Sequence, residues 1–214
     1  MRNRFDMQLD SLDESMQDMG LSCQEAIMMT IDSLLTGNEK KARDVISEST
    51  RIRRMERAIE NICLKLLMQQ QPVATDLRVI SSSLKAVYDL ERIGDVAADI
   101  ATIVLKEHIT AANDILNLTE MANAASAMVS DSINAFTTKD KQLALSVIDC
   151  DDIVDKRFNE IKAKLVEVFS KESNVEYALN LLMIAKYFEK IGDHAVNIAD
   201  WAIYVATGEL RTKN

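Results

Sequence analysis

The sequence contains little with which to turn or staple itself. One proline, Pro72, and five glycines stand among 214 residues. Both residue types mark turns, so their scarcity predicts few turns and long elements. The three cysteines, Cys23, Cys63 and Cys150, are odd in number and widely spaced, with no C-x-x-C, which predicts reduced, part-buried thiols in the cytoplasm. Aromatics make up only 5% of the chain, while Ala, Leu, Ile, Met, Glu and Lys abound, which is helix-forming material. Neither sustained period-2 alternation nor an Asn-Gly or Asp-Gly hairpin signal occurs, so no strands are expected.

Charge and patterning remove several function classes. The net charge is −9 and no tract of Lys and Arg is present, so the chain lacks what displaces counterions from nucleic acid or docks on an anionic membrane. No apolar run approaches the ~20 residues that span a bilayer. Met1-Arg2-Asn3-Arg4-Phe5-Asp6 is followed by no apolar core and does not read as a signal peptide. No Gly-rich phosphate loop exists, and no Ser or Thr has an adjacent His or Lys in a hydrolase arrangement.

What the chain does have is a copy of itself. Glu91-Arg92-Ile93-Gly94-Asp95-Val96-Ala97-Ala98-Asp99-Ile100-Ala101 matches Glu189-Lys190-Ile191-Gly192-Asp193-His194-Ala195-Val196-Asn197-Ile198-Ala199 at seven of eleven positions, 98 residues on. Ala42, Val45, Ile46, Ile52 and Ile59 match Ala144, Val147, Ile148, Val154 and Ile161 at a spacing of 102. The four residues lost in the second copy fall where Pro72 sits in the first. A period near 100 is too long for a solenoid unit and reads as a duplicated domain. The expected boundary lies near residue 110, giving units at 1–110 and 111–214.

Each unit divides into three helical stretches, so the fold class is all-α, two tandem three-helix bundles. In the first stretch Phe5, Leu9, Leu12, Met16, Met19, Cys23, Ile27, Ile31 and Leu34 recur at helical spacing. Gly37 ends it and Asn38 is placed to cap the next, which runs over about 39–70. Pro72 breaks that helix, and Thr75 is the expected N-cap of a third, over about 76–108. The second unit repeats the plan at about 112–137, 139–170 and 174–207, with Ser173 and Glu176 as a capping box. Such lengths suit bundles with short connections. The eleven methionines read as adaptable core filling, and Trp201 and Tyr204 as packing for the last helix.

The candidate site is acidic. Glu91, Asp95 and Asp99 stand four residues apart on one helix, stacked beside its apolar stripe. Glu189, Asp193 and Asn197 repeat the row, with Asp200 beyond it. Gly94 and Gly192, each costing about 1 kcal/mol against Ala in a helix interior, lie at the centre of the rows, where a missing side chain admits another helix or a metal–ligand shell. Asp151 and Asp155, again four apart, belong to the neighbouring helix of the second bundle and are placed to face Glu189 and Asp193. Four carboxylates from two helices can bind hard or borderline cations through oxygen. Their counterparts in the first unit are Ser49 and Arg53, and an arginine there is expected to pair with Glu91 or Asp95 in a cation's place. The fuller site is therefore expected in the second unit. Against this stands the plainer reading of a solvated helix face. His194 points about 100° from Asp193 and reads as a surface residue rather than a ligand.

These residues resemble the PhoU family. The resemblance rests on the two Ile-Gly-Asp segments above and on Gln71-Pro72-Val73-Ala74-Thr75-Asp76-Leu77-Arg78, and covers essentially the whole chain. It implies two three-helix bundles related by pseudo-twofold symmetry. It implies acidic motifs that bind multinuclear iron or zinc clusters, here Glu91, Asp95 and Asp99, then Asp151, Asp155, Glu189 and Asp193. It implies a cytoplasmic, homodimeric, non-enzymatic regulator that damps phosphate uptake through the phosphate-specific ABC transporter and, in many bacteria, a sensor histidine kinase. A carboxylate–metal enzyme of phosphohydrolase type and a metal-free helical scaffold remain the alternatives.

Overall fold

A computed structural model describes residues 2–69, 72–111, 114, 116–169 and 174–211. Among the described residues there are six helices: α1 (Arg2–Thr36), α2 (Glu39–Gln69), α3 (Ala74–Glu107), α4 (Leu118–Thr138), α5 (Lys141–Phe169) and α6 (Val175–Thr207). No strand occurs among the described residues. Helices α1–α3 pack as one bundle and α4–α6 as a second.

The helix ends follow local chemistry, in places against expectation. Asn38 Oδ1 accepts from Lys41 N–H at 3.2 Å, as its position predicted, and Gly37 turns the chain at φ +64°. Helix α3 starts earlier than expected. Its N-cap is Val73, not Thr75; the valine side chain caps nothing, and the Asp76 carboxylate at N3 reaches back to accept from the Val73 N–H at 3.3 Å, the other half of a capping box. Helix α4 begins at Leu118 rather than near residue 112, because the Asp114 carboxylate accepts from the N–H groups of Leu118 and Thr119 at 2.7 and 3.1 Å. Ser173 lies outside the described residues. The N-cap of α6 is Asn174, whose side chain accepts from Tyr177 N–H.

The two bundles meet along two seams, α1 against α4 and α3 against α6, while α2 and α5 contact only their own bundle. Both seams are antiparallel. Gln17 reaches Thr137 and Gln24 reaches Ser126 across the first, and Asp89 meets His194 while Arg78 meets Tyr204 across the second. One continuous core results, in which Met16, Met19, Met121 and Met128 fill irregular space, whereas Met7 and Met68 stay exposed. Trp201 packs partly against that core and meets Tyr204 edge-on at 6.1 Å. All three cysteines are free, Cys23 and Cys63 buried and Cys150 half-buried.

Candidate functional site

In the first bundle Arg53, on α2, occupies the acidic row. Its Nε donates to Glu91 Oε1 at 3.2 Å and its Nη2 to Asp95 Oδ1 at 2.7 Å, while Ser49 Oγ donates to the same Asp95 oxygen at 3.1 Å. Arg92 approaches the other Asp95 oxygen at 3.5 Å. The carboxylate charge is neutralised from within the chain, and a cation here would have to displace Arg53. Asp99 stands apart, exposed, where its charge raises the pKa of the Tyr187 phenol on α6 after burial has done so first. Gly94 lets α2 approach: a Cβ there would lie 2.9 Å from Ile52 Cδ1.

The second bundle differs at each of these points. Asp151 on α5 is pushed up to about 6, chiefly by burial and then by the charges of Asp155, Asp193, Asp152 and Glu189. The list takes in Asp155, Glu189 and Asp193, the three carboxylates expected beside Asp151, and adds Asp152. Asp155 and Asp193 are exposed, while Asp151 and Glu189 are half-buried. Among the described residues, Asp151 Oδ1 is a buried oxygen with no hydrogen-bond partner. It lies 3.3 Å from where a Cβ on Gly192 would stand, so here the glycine gives room to a carboxylate and not to a helix. Val154, the counterpart of Ile52, is not among the atoms nearest that position.

Sequence reasoning missed the counter-ion. Lys186, one turn before Glu189, ion-pairs with it and lies over the Phe158 ring at 5.3 Å. Its pKa is raised, first by the hydrogen bond to Glu189 and then by the charges of Glu189, Asp193 and Asp155. No three ligating side chains among the described residues stand at metal-ligand spacing. The donor set and the orphaned Asp151 oxygen nevertheless fit a cation held through oxygen, provided the lysine ammonium leaves.

A family model described as PhoU domain matches residues 16–104 and again 118–202. The chain belongs to the PhoU family. The Clostridium acetobutylicum phosphate-specific transport system accessory protein PhoU homolog is 33% identical over 97% of this chain and 96% of its own length. The Thermotoga maritima PhoU homolog 1 is 32% identical over 96% and 90%. Two solved structures share the whole fold. PhoU from Pseudomonas aeruginosa superposes with a TM-score of 0.87 at 29% identity, covering 96% of this chain and all of that one. The phosphate transport system regulatory protein PhoU from Streptococcus pneumoniae gives 0.88 at 27%, covering 98%.

Two features of this PhoU chain escaped the sequence. His194 is not a surface residue. Its side chain is only 15% exposed at the α3–α6 seam, where Nδ1–H donates to Asp89 Oδ1 at 2.8 Å, and Asn197 donates to the same oxygen at 3.1 Å. Asp89 carries no mark in sequence that it faces another bundle. Arg78, the last residue of the quoted inter-helix motif, reaches the far end of α6. Its guanidinium lies over the Tyr204 ring at 5.8 Å and against Gly208, whose φ of +82° ends the helix. A cation at that terminus complements the carbonyl end of the helix dipole.

Proposed function

We propose that this protein is the PhoU-type accessory of a phosphate-specific transport system. It damps phosphate uptake by binding the ABC transporter and, where one is present, a sensor histidine kinase, and it acts through contact rather than turnover. The observation that carries the reading is full-length similarity, in sequence and in fold, to proteins named as accessories or regulators of phosphate transport. No described helix is long and apolar enough to cross a membrane, and a cytoplasmic homodimer is the form proposed. The acidic cluster supports recognition over catalysis because Asp155 and Asp193 face solvent.

Asp151, Asp155, Glu189 and Asp193 are the proposed holders of iron or zinc. A bound cation would bridge α5 to α6 and relieve the repulsion among these carboxylates. Lys186 serves as the stand-in counter-ion that the cation displaces. Glu91, Asp95 and Asp99 form the weaker candidate set, since Arg53 already satisfies two of them.

The test is phosphate uptake by cells lacking the gene and grown with ample phosphate. Faster uptake, reversed by the wild-type gene, is expected, together with recovery of a transporter ATPase on the purified protein. Unchanged uptake and recovery of neither the ATPase nor a sensor kinase would overturn the reading. Elemental analysis of tag-free protein tests the metal separately, since bound iron or zinc should vanish in Glu189→Ala/Asp193→Ala.

A further inference from the structure

We propose that the outward crest of α2 is a docking surface for an acidic helical segment of a protein partner. The proposal deepens the contact reading above and rests on it. Among the described elements α2 packs on α1 and α3 alone, which leaves one side of it uncovered. At about 100° per residue, Ser47, Thr50, Arg54, Arg57, Asn61 and Lys65 fall within about 40° of one line. They lie opposite the buried Ile52, Ile59 and Cys63, and all six are exposed. Three of them are cations and none is a carboxylate. The flanks of α2 are neutralised from within the chain. Lys41 pairs with Asp32 of α1, Arg51 with Glu48 and Glu25, and Arg53 with Glu91 and Asp95 of α3. At the start of the crest Arg43 is matched by Glu39. Arg54, Arg57 and Lys65 enter none of the ion pairs among the described residues.

The duplication separates these charges from the needs of the fold. The counterparts on α5 are Asp149, Asp152, Lys156, Asn159, Ala163 and Glu167, all exposed. There the same line carries three carboxylates and one cation. One backbone plan thus presents opposite signs outward, so folding does not set the sign on α2. The apolar end is common to both copies. Leu64 is 50% exposed where Val166 is 68%, and Met68 at the tip of the α2 crest is 84% exposed.

Charge complementarity selects the occupant. Guanidinium forks donate in pairs to carboxylates. The cations from Arg54 to Lys65 span ~16 Å at 1.5 Å per residue, a length matched by a helix with Asp or Glu recurring every three or four residues. An apolar residue at the end of that row would meet Leu64 and Met68. The crest is one helix wide, and the α1 carboxylates Asp18 and Glu25 act on Arg51 at its side. A flat anionic membrane would meet those carboxylates as well, whereas a segment one helix wide would not. The net charge of −9 opposes approach at long range, but contact is decided within a Debye length of about 8 Å.

The test titrates the full chain with a labelled helical peptide that carries a row of Glu ending in Leu. Binding is expected. It should weaken about tenfold or more in Arg54→Glu/Arg57→Glu and in raised salt, and stay unchanged in Lys156→Glu on the α5 crest. Both variants change exposed positions, and an unchanged helical signal verifies folding. The transporter ATPase or sensor kinase that wild type recovers should be lost with Arg54→Glu/Arg57→Glu and kept with Lys156→Glu. Equal recovery by wild type and the arginine variant would overturn this face while leaving the accessory role standing. Recovery of neither partner by wild type would overturn the accessory role, and peptide binding that ignores the arginine reversal would overturn the face by itself. Wild-type binding to phosphatidylcholine vesicles containing phosphatidylserine, abolished in the arginine variant, would assign the crest to a membrane and overturn the proposal. Self-association of the chain abolished in that variant would overturn it as well.

Discussion

Arg53 and Asp95 lie 2.7 Å apart, bridging α2 to α3 at the spot where the second bundle instead has Asp155 beside Asp193. Two differences between the copies, Ser49 for Asp151 and Arg53 for Asp155, turn an acidic cluster into a neutralised one. The two halves share a backbone plan but not an electrostatic one.

Removing the guanidinium tests this directly. Arg53→Ala should lower stability by about 0.5–1 kcal/mol, the scale of a partly exposed ion-pair network, read from urea unfolding. The loss should shrink in high salt. Lys186→Ala should likewise leave Glu189 short of its counter-ion and increase the affinity for added divalent cation, measured by calorimetry.

Stability should also fall as pH rises through about 6. The folded Asp151 carboxyl holds its proton up to about 6, against an ordinary value near 3.8. Between those values the folded state binds more protons than the unfolded one, so stability is greatest at the acidic end and declines toward neutrality. Asp13, also pushed up to about 6 by burial, acts in the same direction. Asp151→Asn should stabilise the protein at pH 8 by about 1 kcal/mol after solvent screening, and should flatten the pH profile more than it changes the value at pH 5.

The two glycines should respond differently. At Gly94 a Cβ meets Ile52 Cδ1 at 2.9 Å and Cγ2 at 3.0 Å, on a stiff β-branched side chain. Gly94→Ala should therefore cost about 1–2 kcal/mol despite its helix-propensity gain, and Ile52→Val should recover part of that. At Gly192 the nearest atoms are Asp151 Oδ1 at 3.3 Å and the flexible end of Met128 at 3.6 Å. Gly192→Ala should be near neutral in thermal unfolding.

At the α3–α6 seam, Asp89 accepts from both His194 and Asn197 through one oxygen. Asp89→Ala strands both donors and should cost about 1–3 kcal/mol. The loss should appear in calorimetry as a less cooperative transition, because the bond joins the bundles rather than stabilising either alone.

The duplication, the six helices and the apolar stripes were readable from residue order, since helical periodicity and internal matches are local properties of the chain. So was the pairing of Arg53 with Glu91 and Asp95, which needed only the repeat alignment and the expectation that adjacent helices of one bundle face each other. Caps were less legible. Val73 begins α3 because Asp76 reaches back, and Asp114 sets the start of α4 from four residues away.

Sequence alone determined that matching acidic rows exist and that only the second has further carboxylates, Asp151 and Asp155, in place of Ser49 and Arg53 on the preceding helix. Tertiary structure alone decided that Asp99 stands apart from its row and that His194 turns to Asp89. Those outcomes depend on how two bundles cross, and crossing is set by packing between residues roughly a hundred positions apart, which no local pattern encodes.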